Sequence, residues 1–235
     1  MNFTRWDALK VVALLLMFID HAGAFFYVDQ EWLRGIGRAC APIFLFLAGF
    51  APRYRHDTEI AAWAALLTAN DWLVAGPNTL NILWSILLAR MVLEMLENAG
   101  RQKLRLHEWL IGSIPFIFLL PFLQYGPFAL LFALSGYVFK HRFHYKARTP
   151  LYFLIAVTVF YGLAFSYLSH FEWLTILVMA PSLALMCWLL IWFTRSPLAS
   201  VHVPAPRLLK ECARKTAPIY VVHLMLLGWI TGRAL

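Results

Sequence analysis

What most constrains this chain is the recurrence of apolar runs, each about long enough to cross a bilayer, with little polar sequence between them to build a soluble domain. Such runs fall at 8–27, 36–51, 59–75, 79–96, 108–123, 126–140, 150–168, 172–194 and 215–231. With 62% hydrophobic and 14% charged residues in a chain of 235, the expected fold is all-α. It is a polytopic bundle of about nine transmembrane helices forming a single domain over 1–235. The softest joints are Asn70 and Asp71 inside one run, and Pro121, Gln124, Tyr125 and Gly126 between two others. One span more or fewer would move the C-terminus to the other side.

The loops give an independent reading. Arg53 and Arg55, then Arg101, Lys103 and Arg105, then Lys140 to Arg148, then Arg195 to Lys215 fall on the N-terminal side. The loops near Gly76, Tyr125 and His170 carry no Lys or Arg. Basic loops stay cytoplasmic, so the N-terminus is expected inside. The same bias accounts for the formal net charge of +8 without nucleic acid, which would need a continuous basic face. Cys40, Cys187 and Cys212 are far apart, so neither a disulfide framework nor a metal site is expected. A cleavable leader ending near Ala22-Gly23-Ala24 is the alternative for the first run. Asp20 and His21 interrupt that run and Phe25 to Val28 continue it, which favours a retained helix.

Ionisable residues within these runs are the candidate site. Lys10 and His21 lie eleven positions apart, about three helical turns, so they share a face about 16 Å apart. That is close to the reach of a pantetheine arm. His21 can act as a general base if neutral, and Asp20 beside it can tune it, although one residue is about 100° around the helix. Arg34 and Arg38, one turn apart, can hold an anionic acceptor group, neutralise Asp20 or snorkel to the interface. In the last run Tyr220 and His223 sit on neighbouring faces, and His223 can reach His21 across a bundle. Asn81 and Ser85 share a face and can bond an acceptor or backbone, while Arg90 needs an anionic partner or a watery cavity. The stretch from Lys140 and Arg142 to Arg148 can grip the phosphates of a nucleotide-bearing donor, bind anionic lipid or fix topology.

Trp6-Asp7-Ala8-Leu9-Lys10, the spacing from Lys10 to His21, Arg34-Gly35-Ile36-Gly37-Arg38, the run Pro42 to Phe50, and Ile219-Tyr220-Val221-Val222-His223 resemble the TraX family. They also resemble the wider membrane acyltransferase-3 group. Length and hydropathy fit TraX throughout, whereas the motifs cover mainly the first 50 residues, the Asn81 region and the end.

The resemblance implies an inner-membrane acyltransferase using acetyl-CoA, linked to N-terminal acetylation of pilin and fimbrial assembly. It assigns Lys10 and His21 to the basic residue and catalytic histidine, and Arg34 and Arg38 to the second arginine-bearing element. Lys10 stands where Arg is commoner, and nine helices are one short of the wider group's ten. On this expectation His21 and Asp20 are catalytic, and Lys10, Arg90, Lys140 and Arg142 hold the donor. Arg34, Arg38, Asn81, Tyr220 and His223 face the acceptor or oxyanion, with no metal. The rival readings are a small transporter or proton-coupled channel and a non-catalytic pilin assembly factor.

Overall fold

The computed structural model describes residues 3–51, 58–76, 80–102, 122–144, 146, 148–168, 172–195 and 207–233. Among these residues the chain is helical, apart from one isolated parallel bridge between Leu80 and Leu123. The helices are α1 (Arg5–Phe25), α2 (Glu31–Gly37), α3 (Cys40–Phe50), α4 (Thr58–Ala75) and α5 (Ile82–Gln102). They continue as α6 (Gly126–Lys140), α7 (Thr149–Leu168), α8 (Trp173–Arg195), α9 (Arg207–Arg214) and α10 (Thr216–Thr231). Eight of the nine expected spans fall on these helices. The run 108–123 lies outside the described residues except for its last two. With α2 and α3 counted together, four spans are long and apolar enough to cross a membrane: Arg5–Phe25, Glu31–Phe50, Thr149–Leu168 and Trp173–Arg195.

Two departures from the expected boundaries have local causes. The second span begins at Glu31 and breaks between Gly37 and Cys40. Pro42 has no N–H to give the carbonyl four residues earlier, which belongs to Arg38. That carbonyl instead accepts from the fully buried Tyr161 hydroxyl at 3.1 Å. The Ile36 carbonyl accepts from Ser182 Oγ at 2.9 Å, so the broken turn is stitched to α7 and α8. The second departure is α9, too short and too charged to read as a span, which packs on α1.

Close helix packing depends on glycine. A Cβ on Gly49 would run into the Ala133 backbone, and one on Gly136 into the Phe46 carbonyl oxygen, so α3 and α6 meet backbone to backbone. At the start of α1, Thr4 and Asp7 form a reciprocal capping box. Arg5 and Arg142 donate to the Trp192 and Thr194 carbonyls, each at 3.0 Å, near the C-terminal end of α8.

Buried side chains gather in three clusters, and the two larger ones share α1. Leu9, Phe46, Phe132, Tyr161 and Phe193 belong to one, and Leu14, Met17, Cys40, Leu67 and Val221 to the other. The candidate site opens beside the second.

Candidate functional site

The Arg34-Gly35-Ile36-Gly37-Arg38 segment is shaped by what its glycines touch. A Cβ at Gly37 would fall 2.5 Å from the Asp20 backbone nitrogen and Cα, so only glycine lets α2 lie on α1 there. Gly35 faces the Thr175 carbonyl oxygen of α8, 3.0 Å from where its Cβ would be. Gly23 leaves room for Leu33 and the stem of Arg34. α2 is thus pressed between α1 and α8, and its two arginines are delivered to the level of Asp20 and His21.

There a cavity of about 210 Å³ opens between helices, lined by Met17, Asp20, His21, Arg34, Arg38, Cys40, Gln124, Tyr125, Thr216 and Tyr220 among others. Asp20 and His21 are 4% and 5% exposed, so polar chemistry here is shielded from bulk water. Arg38 Nη1 stands 3.7 Å from Asp20 Oδ2 and donates to the Tyr125 hydroxyl at 3.4 Å. Its guanidinium lies 5.0 Å over the Phe165 ring.

The two histidines meet. His21 Nδ1 and His223 Nε2 are 2.6 Å apart, with the ring planes inclined by 18° and the centroids 4.7 Å apart. His223 Nδ1 faces the Ile219 carbonyl oxygen at 3.3 Å. A carbonyl only accepts, so with both rings neutral the His223 proton sits on Nδ1 and its Nε2 is an acceptor. His21 therefore donates through Nδ1, which leaves Nε2 with a lone pair. Nε2 bonds no protein atom among the described residues. A neutral histidine with a fixed tautomer and a free nitrogen, lining a shielded cavity, has the equipment of a general base.

This geometry revises the expected role of Asp20. The residue that orients His21 is His223, while Asp20 turns toward Arg38, as the roughly 100° step between neighbours on a helix requires. Tyr220 lines the cavity with its ring 6.1 Å from that of His21. Asn81 is otherwise engaged. Its Oδ1 accepts from Leu83 N at 3.1 Å and caps α5, and its Nδ2 donates to the Ala64 carbonyl and Thr68 Oγ1, each at 3.0 Å.

The residues expected at the donor are spread out. Lys10 lies on the α1 stripe that continues through Leu14 and Met17 to His21, below the cavity lining. Arg90 is one turn beyond Ile86, which lines the cavity. Lys140 pairs with Glu97 at 2.9 Å and Arg142 holds the end of α8, so neither joins His21.

Gln124 and Tyr125 were not anticipated as site residues. Gln124 Oε1 accepts from Ile82 N at 3.0 Å, and its carbonyl accepts from Ser85 Oγ at 2.7 Å, tying the turn before α6 to the start of α5. Tyr125 has a left-handed backbone, φ 69°, unusual for a bulky side chain. The Gln124-Tyr125-Gly126 break in hydropathy was the sequence signal, although it read only as a joint between spans.

Fold and site together define a polytopic helical protein with a largely apolar cavity into which Asp20, His21, Arg34 and Arg38 are set. The family described as "TraX protein" matches residues 5–231, and the chain belongs to the TraX family. It is similar to an uncharacterized protein of Rickettsia prowazekii, RP591, at 32% identity over 40% of this chain and 38% of the relative. It is also similar to Protein TraX of Escherichia coli K12, at 33% identity over 28% of each chain. A second Escherichia coli Protein TraX is 31% identical over 39% of this chain and 40% of its own length. These alignments thus span no more than two fifths of the curated relatives. No solved structure matches.

Proposed function

We propose that this protein is a membrane-embedded acyltransferase with an acyltransferase-3-like bundle. It would move an acetyl group from cytoplasmic acetyl-CoA to an amine or hydroxyl reached from the outer side of the inner membrane. The acceptor suggested by the family resemblance is the N-terminus of a pilin. The observation that carries the reading is the His21–His223 pair, with His21 Nε2 free in a cavity that also holds Arg34, Arg38 and Tyr125.

In the transfer, His21 Nε2 takes the proton from the acceptor nitrogen or oxygen as that atom bonds to the thioester carbonyl carbon. The carbon–sulfur bond then breaks, and the proton passes from His21 to the leaving coenzyme A sulfur. The products are an amide or ester and free coenzyme A. Arg38, held by Asp20 and Tyr125, supplies positive charge where the carbonyl oxygen becomes negative. A thioester is already activated, so alignment and one proton carrier suffice. Lys10, about 16 Å from His21 along α1, suits the charged end of a donor whose reactive end lies at the histidine.

The test uses purified protein in nanodiscs, acetyl-CoA labelled in the acetyl group, and a synthetic pilin N-terminal peptide or small amine and hydroxyl acceptors. Label should appear in the acceptor in proportion to coenzyme A released. Coenzyme A release without acceptor labelling, or neither, removes this reading. Fusions at Gly76, Ala147 and His170 should report outside, inside and outside.

A further inference from the structure

Among the described residues other than glycine, Tyr125 alone has a left-handed backbone, φ 69°. A bulky side chain is costly to hold there, and such strain persists only where the surroundings impose it. Here they do. Gln124 N donates to the Leu80 carbonyl at 2.8 Å, the Gln124 carbonyl accepts from Ser85 Oγ at 2.7 Å, and Gln124 Oε1 accepts from Ile82 N at 3.0 Å. On the other side, Phe128 N donates to the Tyr125 carbonyl at 3.0 Å. The ring lies against Tyr161 and Phe165, with centroids 6.5 Å and 5.8 Å away. A glycine or asparagine would make this turn with less strain, so what the strain secures is the side chain.

That side chain brings to the cavity a donor with nothing to donate to. The Tyr125 hydroxyl accepts from Arg38 Nη1 at 3.4 Å and makes no other hydrogen bond among the described residues. A phenol has one O–H to give as well as lone pairs to accept with, so its hydrogen is unspent. Tyr125 lines the same cavity as His21, and the same Arg38 Nη1 stands 3.7 Å from the carboxylate of Asp20, the neighbour of His21. A hydrogen bond received from a cation polarises the hydroxyl and strengthens it as a donor.

We infer that the Tyr125 hydroxyl is the oxyanion donor: it hydrogen-bonds the carbonyl oxygen of the thioester, and Arg38 acts on that oxygen through it. This assignment rests on the acyltransferase reading. As the acceptor bonds to the carbonyl carbon, the oxygen takes up negative charge and the hydrogen bond from Tyr125 strengthens, with the phenol keeping its proton. When the carbon–sulfur bond breaks, the charge leaves the oxygen and the hydrogen bond relaxes. Such a donor has to be aimed before the reaction begins, which is what the tied turn provides.

The experiment uses purified full-length protein in nanodiscs and acetyl-CoA carrying a heavy isotope at the carbonyl carbon, whose infrared band is read with no acceptor present. A hydrogen bond to the oxygen weakens the carbonyl bond, so the bound band should lie at lower frequency than that of free acetyl-CoA. In Tyr125→Phe, which keeps the ring and the turn, the band should return toward the free position. Labelled acetyl transfer should fall about 100- to 1,000-fold in kcat, as for other lost oxyanion donors, with KM little changed. The variant should melt near wild type, since the hydroxyl makes a single 3.4 Å bond within the described protein. A ring-fluorinated tyrosine at position 125, a stronger donor of nearly the same shape, should move the band further down, and it tests the inference if Tyr125→Phe does not fold.

A band indifferent to both changes, or transfer by Tyr125→Phe within a few-fold of wild type, overturns the inference and leaves the acyltransferase reading standing. Lost stability with an unmoved band also overturns it and makes Tyr125 a prop for Arg38. A band that answers to Tyr125 in a protein that transfers nothing keeps the carbonyl contact and removes the acyltransferase reading. The absence of any bound band removes both.

Discussion

Gly37→Ala is the smallest change that should disorganise the site without replacing any residue that lines it. The added methyl would lie 2.5 Å from Asp20 Cα and N, whereas carbon atoms pack at about 3.5–4.0 Å. The obstacle is backbone, which cannot rotate away, so α2 must retreat by about 1 Å. Arg38 would move with it, taking the 3.7 Å contact with Asp20 past ion-pair range. Overpacking of this kind costs about 1–3 kcal/mol, and for a chain of this size each kcal/mol is worth roughly 2–4 °C in melting temperature. A displacement of about 1 Å at a reacting centre costs on the order of 100-fold in rate.

Gly162→Ala is the matched control. Its Cβ would meet only the tip of the Leu183 side chain at 3.1 Å, and alanine is about 0.5–1 kcal/mol better than glycine inside a helix. Thermal unfolding in detergent and acetyl transfer should therefore separate the two, with Gly37→Ala impaired in both and Gly162→Ala at least as stable as wild type. If Gly37→Ala unfolds and works like Gly162→Ala, the packing argument for α2 is wrong.

Tyr161→Phe should lower stability by about 1–3 kcal/mol in denaturant or thermal unfolding, because it leaves the Arg38 carbonyl buried without a donor at the Pro42 break. His223→Leu should slow acetyl transfer about 10- to 100-fold by removing the acceptor that fixes the His21 tautomer. His223→Gln, which keeps a side-chain acceptor, should recover part of that loss, and equal rates for the two would mean that His223 does not orient His21. Coenzyme A at millimolar concentration should raise the melting temperature, with the shift shrinking as salt increases. No shift would favour a transporter.

The helices were legible because long apolar runs report them directly. Asp20, His21, Arg38 and His223 stood out for a related reason, being ionisable residues in hydrocarbon, and the structure sets the first three around one cavity with His223 bonded to His21. Pairings were less legible. Asp20 is adjacent to His21 in sequence but points elsewhere on the helix, and the residue bonded to His21 is 202 positions away. Asn81 reads as a polar group near a site, yet its amide is committed to capping α5 and holding α4. Lys140 and Arg142 read as a phosphate grip, but Glu97 and the end of α8 engage them, and helix pairing of that kind has no periodic signature. Tyr125 enters the site through a left-handed turn between spans, where hydropathy registers only an interruption.

The central claim is that His21 carries a proton during acetyl transfer, and the direct measurement is single-turnover transfer by His21→Gln. Glutamine can hydrogen-bond to His223 but cannot accept and return a proton at neutral pH. The variant should insert, fold and bind coenzyme A like wild type, while transfer falls by about 100- to 10,000-fold. Transfer by His21→Gln within a few-fold of wild type would make the histidine a structural link between α1 and α10 and contradict this account.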